Sequence, residues 1–225
     1  MSDGDPVFLF DLDGTLVDSV YQHVLAWKEA LEAEGIDLAV WKIHRKIGMS
    51  GGLFTHQLLR ETGLGIDGAR VDRLRQLHAA AYQRFSVHVR PLPGASDLLA
   101  WLSSSGIPWN IATSGRMETA AVTFARLEVD PARTPVVTRD QVRYGKPDPD
   151  LFVAAAERLG SSTRGAIVVG DSIWDMLAAV RCGALGVGLL SGGYGADELR
   201  QSGALRVYDD PADLLAHIDE VGGRR

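Results

Sequence analysis

Val7-Phe8-Leu9-Phe10-Asp11-Leu12-Asp13-Gly14-Thr15 is the stretch whose reading decides the fold. Four consecutive apolar residues, Val7 to Phe10, are too few for a helix and match a strand buried on both faces of a parallel sheet. The run ends in two carboxylates. Asp11 and Asp13 are two apart, so an unbroken strand would send them to opposite faces, and Gly14 breaks that geometry. Acidic groups at the carboxyl end of a buried strand stand where open α/β sheets hold their ligands.

Working outward, the same grammar recurs. Ile107-Pro108-Trp109-Asn110-Ile111-Ala112 runs into Thr113-Ser114-Gly115, and Pro135-Val136-Val137-Thr138 leads to Arg143-Tyr144-Gly145-Lys146-Pro147-Asp148-Pro149-Asp150. Ala166-Ile167-Val168-Val169-Gly170 precedes Asp171-Ser172-Ile173-Trp174-Asp175, with the two Asp four apart at an expected helix start. Helices are expected from about Ala95 to Ser104 and from about Pro149 to Leu159. Further on, Leu185 to Leu190 and Arg206 to Tyr208 read as strands and Asp213 to Val221 as a closing helix. Gly222 to Arg225 reads as a frayed tail. The expected fold is an α/β, doubly wound parallel sheet. Ser191-Gly192-Gly193-Tyr194-Gly195 lacks both the Lys-Ser/Thr ending of a P-loop and the dinucleotide spacing, so it reads as a turn beside the site.

Residues 18–88 contain no strand pattern. Ser19 to Glu34 has Val24, Trp27, Ala30 and Leu31 on one face, and Ala69 to Phe85 carries Val71, Leu74, Leu77, Ala81 and Phe85 as a stripe. A shorter helix is expected from Leu53 to Glu61. An all-helical stretch inside an alternating chain reads as a small inserted domain, which leaves residues 1–17 and 89–225 as the α/β core. Within it, Lys46 to Gly52 reads as a flexible glycine-rich loop, either a connector or a contact surface.

Composition narrows the class. The 225 residues are 46% hydrophobic and 23% charged, enough for a sizeable core. A net charge of −6 speaks against a nucleic-acid binder. No apolar run reaches the ~18 residues of a membrane span. The lone Cys182 suits a core filler in a reducing compartment, and Met1 to Pro6 lacks a secretory pattern, so a cytoplasmic protein is expected. Monomer and homodimer both remain open.

Asp11-Leu12-Asp13-Gly14-Thr15-Leu16-Val17-Asp18-Ser19 resembles the first motif of the haloacid dehalogenase superfamily, in its phosphatase branch. Thr113-Ser114-Gly115, Gly145-Lys146-Pro147 and Gly170-Asp171-Ser-x-x-Asp175 resemble the second, third and fourth. The resemblance implies that Asp11 is the nucleophile, Asp13 the general acid/base and Lys146 the charge-neutralising partner. It implies a phosphate site at Thr113, Ser114 and Gly115, and Mg2+ held by Asp11, Asp13 through its backbone carbonyl, Asp171 and Asp175. Taken alone, Thr-Ser-Gly after a strand is most often a helix cap, and a cap and a phosphate site can coincide. The case for a cation is also physical: like charges ~4 Å apart repel by about 4 kcal/mol at an effective dielectric of 20.

The helical insert then resembles a cap that closes on the site, with Arg45 and Lys46 as leaving-group contacts and Arg116 either binding substrate or solvated. The expected activity is phosphatase action on a small phosphorylated metabolite, phosphoglycolate-like or a sugar phosphate, with Asp13 poised to be protonated. Two alternatives stand beside it. A sugar phosphomutase resembling β-phosphoglucomutase draws on His23 and Trp27, although that family typically has Glu-Asp where this chain has Gly170-Asp171. A phospho-accepting receiver would share the strand-end Asp, Thr and Lys, but has neither the helical insert nor a leaving group to protonate.

Overall fold

The computed structural model describes residues 6–65 and 67–223. Met1 to Asp5, Arg224 and Arg225 lie outside them, and with them the end of the expected tail. Six parallel strands form the main sheet: β1 (Phe8–Phe10), β4 (Trp109–Ala112), β5 (Val136–Val137), β6 (Ile167–Gly170), β7 (Leu185–Leu189) and β8 (Ala204–Tyr208). Their order is β5-β4-β1-β6-β7-β8, so β1 is central and the chain leaves it in opposite directions toward β4 and β6. That reversal opens a crevice at the carboxyl ends of these strands. A two-residue antiparallel ribbon, β2 (Val17–Asp18) with β3 (Arg90–Pro91), ties together the two connections between the sheet and the helical insert.

Alternation along the strands explains why they read as continuous apolar runs. Phe8, Phe10, Ile111 and Val169 face one layer, packed on α5 (Ala95–Ser104), α6 (Met117–Arg126) and α10 (Pro211–Ala216). Val7, Leu9, Ala112 and Val168 face the other, on α7 (Asp150–Arg158) and α8 (Ile173–Cys182). With both faces covered, the inner strands of the main sheet carry one polar side chain among the described residues, Asn110, whose amide donates to the Ala155 carbonyl at 3.2 Å, while the edge strand β8 leaves Arg206 exposed.

The insert is helical: α1 (Val20–Ala33), α2 (Val40–His44), α3 (Gly51–Glu61) and α4 (Gly68–Phe85). Val24, Trp27, Leu31, Val71 and Leu74 meet in a core of their own with Phe54 and Leu58. Its link to the sheet layer includes a buried hydrogen bond between the Tyr82 hydroxyl and Thr123 Oγ1 at 2.9 Å. Among the described residues no helix is long and apolar enough to cross a membrane.

Several local expectations change. Gly51 and Gly52 belong to the first turn of α3, so the expected loop ends at Ser50. The closing helix stops at Ala216, and Ile218–Val221 is a 3-10 turn. Helices α2 and α6 and α9 (Ala196–Gln201) had no reading in the sequence; α2 and α9 span too few turns to build a periodic pattern.

Candidate active site

Asp11 stands just past β1, and its backbone N–H still donates to the Val169 carbonyl at 2.9 Å, which continues the ladder with β6. Asp171 and Ser172 follow β6 in the same way, and Ser172 caps α8. The chain turns sharply at Gly14, whose φ is +82°; a Cβ there would lie 2.6 Å from Asp171 Oδ2, so both the turn and the approach of Asp171 require glycine. Gly192 abuts the same carboxylate from the loop after β7. That loop stands beside the site as expected, and Ser191 Oγ donates to the Gly14 carbonyl at 2.6 Å.

Lys146 is completely buried, with Nζ 2.5 Å from Asp11 Oδ1 and 2.7 Å from Asp175 Oδ1. Its ammonium also lies 5.0 Å from the centre of the Phe152 ring. Asp175 divides its oxygens: Oδ1 meets Lys146, while Oδ2 accepts from the Ser172 N–H at 3.1 Å and Ser172 Oγ at 2.5 Å. Asp171 Oδ1 accepts from Thr15 Oγ1 at 2.9 Å.

One carboxylate oxygen from each of Asp11, Asp171 and Asp175 lies within 4.8 Å of the other two. Three buried carboxylates face one ammonium, an imbalance of two negative charges if all are ionised. Burial pushes Asp11 up to about 7, Lys146 opposes the rise, and Asp175 and Asp13 add to it. Asp171 is raised well above the ordinary carboxylate range by burial first and then by Asp175 and Asp11. Lys146 loses by burial but gains more from Asp11 and Asp175, so it is held above its ordinary value. A compact, oxygen-only donor set with excess negative charge fits a hard divalent cation.

Asp13 behaves differently. Burial acts to raise it, but the His23 ring, 3.3 Å from Oδ1, and the Ser19 hydroxyl, 2.6 Å from the same oxygen, outweigh burial and hold its carboxyl below the ordinary value. The geometry thus favours the carboxylate form of Asp13, whereas the expectation had it poised to be protonated. His23 is fixed by stacking on Tyr82, with ring centres 3.9 Å apart, and by a 3.1 Å contact with His78. Burial, and then His23, keep His78 well below its ordinary value.

A cavity of about 430 Å³ joins the carboxyl ends of the strands to the insert, and Asp11, Asp13, Thr113 and Ser114 line it. Gly115 and Arg116 line it as well, as do His23 and Lys46 from the insert. Ser114 Oγ is buried without a hydrogen-bond partner among the described residues, while Thr113 Oγ1 accepts from the Gly115 N–H at 2.9 Å. Lys46 reaches the cavity but spends its charge on Glu61 at 2.9 Å, and Arg116 pairs with Asp140 at 2.7 Å.

Arg45 does not line the cavity. It pairs with Glu198 at 2.5 Å and lies over the Tyr194 ring, while the Tyr194 hydroxyl donates to the Arg45 carbonyl at 2.8 Å. The sequence reading missed Arg75, Gln76 and His78 on α4, and Arg139 after β5. On α4 these polar positions flank the apolar stripe and read as a solvated face until the insert closes over the sheet.

The family model for haloacid dehalogenase-like hydrolases matches residues 6–183. The chain belongs to the haloacid dehalogenase-like hydrolases. It is 33% identical to hexitol phosphatase A of Escherichia coli over 178 residues, covering 78% of this chain and 79% of that protein. It is 31% identical to a phosphoglycolate phosphatase of Rhodospirillum rubrum over 92% of this chain and 88% of that one. The crystal structure of a hydrolase from Pseudomonas syringae superimposes with a TM-score of 0.95 at 56% identity, covering 98% of this chain and 100% of the other. As a haloacid dehalogenase-like hydrolase, the protein is a phosphoric monoester hydrolase, and its helical insert is the cap of this fold.

Proposed function

We propose that the protein is a Mg2+-dependent phosphatase that hydrolyses a small phosphorylated metabolite, phosphoglycolate-like or a sugar phosphate, through an aspartyl-phosphate on Asp11. The observation that carries this reading is the buried Asp11–Lys146–Asp175–Asp171 cluster, which meets the cavity through Asp11, together with the Ser114 hydroxyl in the cavity wall, unpartnered among the described residues. The relatives named as hexitol and phosphoglycolate phosphatases support this substrate range.

Asp11, Asp171 and Asp175, with the Asp13 carbonyl, would hold Mg2+, which supplies charge neutralisation for the phosphoryl oxygens. Asp11 attacks phosphorus in line, and the P–O bond to the leaving group breaks as the Asp11–phosphorus bond forms. Lys146 keeps the Asp11 carboxylate ionised and directed, while Thr113, Ser114 and the backbone N–H groups after them orient the phosphoryl oxygens. Asp13 delivers a proton to the departing oxygen and later takes one from the water that cleaves the aspartyl-phosphate. The carboxylate form that His23 and Ser19 favour suits the second step. For the first, the negative charge of an arriving phosphate ester raises Asp13 and favours its protonation.

Gly170 supports hydrolysis over the mutase alternative. A Cβ at that position would collide with the Cβ and Cγ of Asp175, so the glutamate typical of the mutase family has no room. The cytoplasm is the proposed compartment, on the strength of the single, half-buried cysteine.

The deciding experiment is phosphate release from a panel of phosphoglycolate, hexitol and hexose phosphates, a nucleotide and pyrophosphate, with Mg2+ and with chelator. Release from one class of small ester, lost on chelation, is the expected result. Interconversion of glucose phosphate isomers without release would replace the reading by the mutase.

The carboxylate cluster also predicts a pH dependence. Asp11, ordinarily at 3.8 and about 7 here, and Asp171 bind protons more tightly when folded, so their ionisation destabilises the metal-free protein progressively from about pH 4 to about pH 7. Mg2+ displaces those protons. The increase in Tm on adding Mg2+ should therefore be larger at pH 7.5 than at pH 5.5, by about 4–8 °C for ~2 kcal/mol of linked proton release. Taking the increment removes the opposing titration of His78, which acts equally with and without metal. Equal increments at the two pH values would contradict the carboxylate assignment.

A further inference from the structure

Resting on the phosphatase reading and deepening it, we infer that the substrate carries a second anionic group, at the end away from the transferred phosphoryl group. Arg75, Arg116 and Arg139 would receive it. These arginines come from three separate elements, α4, the residue before α6 and the turn after β5, and all three line the one cavity. The Arg139 backbone N–H donates to the Gly115 carbonyl at 3.0 Å, which sets Arg139 next to Arg116. A Cβ on Gly145 would lie 3.0 Å from Arg139 Cδ and 2.6 Å from Ser50 Cβ, and a Cβ on Gly52 would lie 2.8 Å from Arg75 Nη2. Arg75 and Arg139 thus stand at the start of α3, with Arg116 lining the same cavity next to Arg139. Ser50 makes no side-chain cap there, and Gly51 and Gly52 line the cavity with their backbone uncovered.

The charges are only partly spent. Arg75 gives Nη1 to Asp72 at 3.1 Å and Arg116 gives Nη1 to Asp140 at 2.7 Å. Arg139 donates to the carbonyls of Val142 and Arg143 at 2.7 and 3.0 Å, and no carboxylate lies within 4.0 Å of it among the described residues. Burial, and then the positive charges of Arg116 and Arg75, lower its pKa against the smaller opposing pull of Asp140 and Asp150. Glu118 lines the same cavity and makes no ion pair with the three arginines among the described residues.

A guanidinium has five donors in a planar fork suited to carboxylate or phosphate oxygens. The cavity, at about 430 Å³, has room for a body of several carbons between the two anionic ends. Because Arg75 belongs to the cap and the other two to the sheet layer, one anion would bridge both parts and favour the closed form.

The test is calorimetric binding to the Asp11→Asn protein of glucose 6-phosphate, 6-phosphogluconate and glucose 1,6-bisphosphate. The first lacks the second anion, and the other two offer a carboxylate or a phosphate at the far end. At least one anionic probe should bind about tenfold more tightly than glucose 6-phosphate, and Arg75→Gln and Arg116→Gln should each shrink that ratio about threefold or more. Whichever probe binds more tightly identifies the group. Equal affinities, no binding of any probe, or a ratio untouched by both substitutions would overturn the inference. Phosphate release by the unsubstituted protein is followed separately. If it releases phosphate from no ester, the phosphatase reading fails, while the binding ratio still decides the anion site.

Discussion

Asp11→Asn is expected to lower kcat by more than about 10⁴-fold while leaving the fold intact, since it removes the carboxylate that, alone among the described residues, both touches Lys146 and lines the cavity. The substitution keeps the shape of the side chain, and Lys146 keeps Asp175 as its partner. It also removes one charge from a buried set in which burial already disfavours ionisation. Stability of the metal-free variant at pH 8 should therefore equal or exceed that of the parent. Two measurements check this: phosphate release, and thermal unfolding in chelator. Retained turnover would sink the nucleophile assignment, and a collapse of Tm would show that the loss of activity reflects unfolding.

Lys146→Met is expected to be damaging in both respects. The side chain is completely buried, and its removal leaves Asp11 and Asp175 without their counter-ion; breaking a buried ion pair in this way costs about 3–5 kcal/mol. For a chain of this size that corresponds to a fall in Tm of roughly 6–20 °C. Without Lys146 the folded-state pKa of Asp11, already raised by burial, rises further above the unfolded value. The deficit should then be largest above that raised pKa and shrink as the pH falls through it. Urea denaturation of parent and variant at pH 8 and pH 5 reads the difference. A deficit independent of pH would mean that lost packing, including the contact with Phe152, dominates over charge. Activity should fall about 10²–10³-fold, the size of effect seen when a preorganised electrostatic partner is deleted.

These two expectations rest on residues of different visibility. Asp11 could be singled out because a buried strand announces itself by composition and its carboxyl end is where ligands bind. Lys146 stood out because Gly145, Pro147 and Pro149 exclude an ordinary helical setting. Asp171 and Asp175 followed from the four-residue spacing after another apolar run. Arg75 and Arg139 carried no such local mark. On α4, Arg75 lies beside Asp72 at the edge of the apolar stripe, one turn after Val71, where a charged residue ordinarily reaches out to water. Arg45 misled for the complementary reason: it adjoins the cap loop in sequence, but its side chain is drawn to Tyr194 and Glu198, about 150 residues away.

By itself, the sequence determined the order of the strands' chemistry, the helical insert after the first strand, and the residues at the strand ends. Period and composition are local properties, and strand-end positions inherit their place from the sheet. Only the tertiary structure decided that Asp13 lies against His23, that Asp11 and Asp171 share one excess of charge with Asp175, and that three arginines from separate elements line one cavity. Each of these depends on distances between groups far apart in the chain. Electrostatics falls off with spatial separation and not with sequence separation, so protonation and charge pairing were settled only once the cap had packed on the sheet.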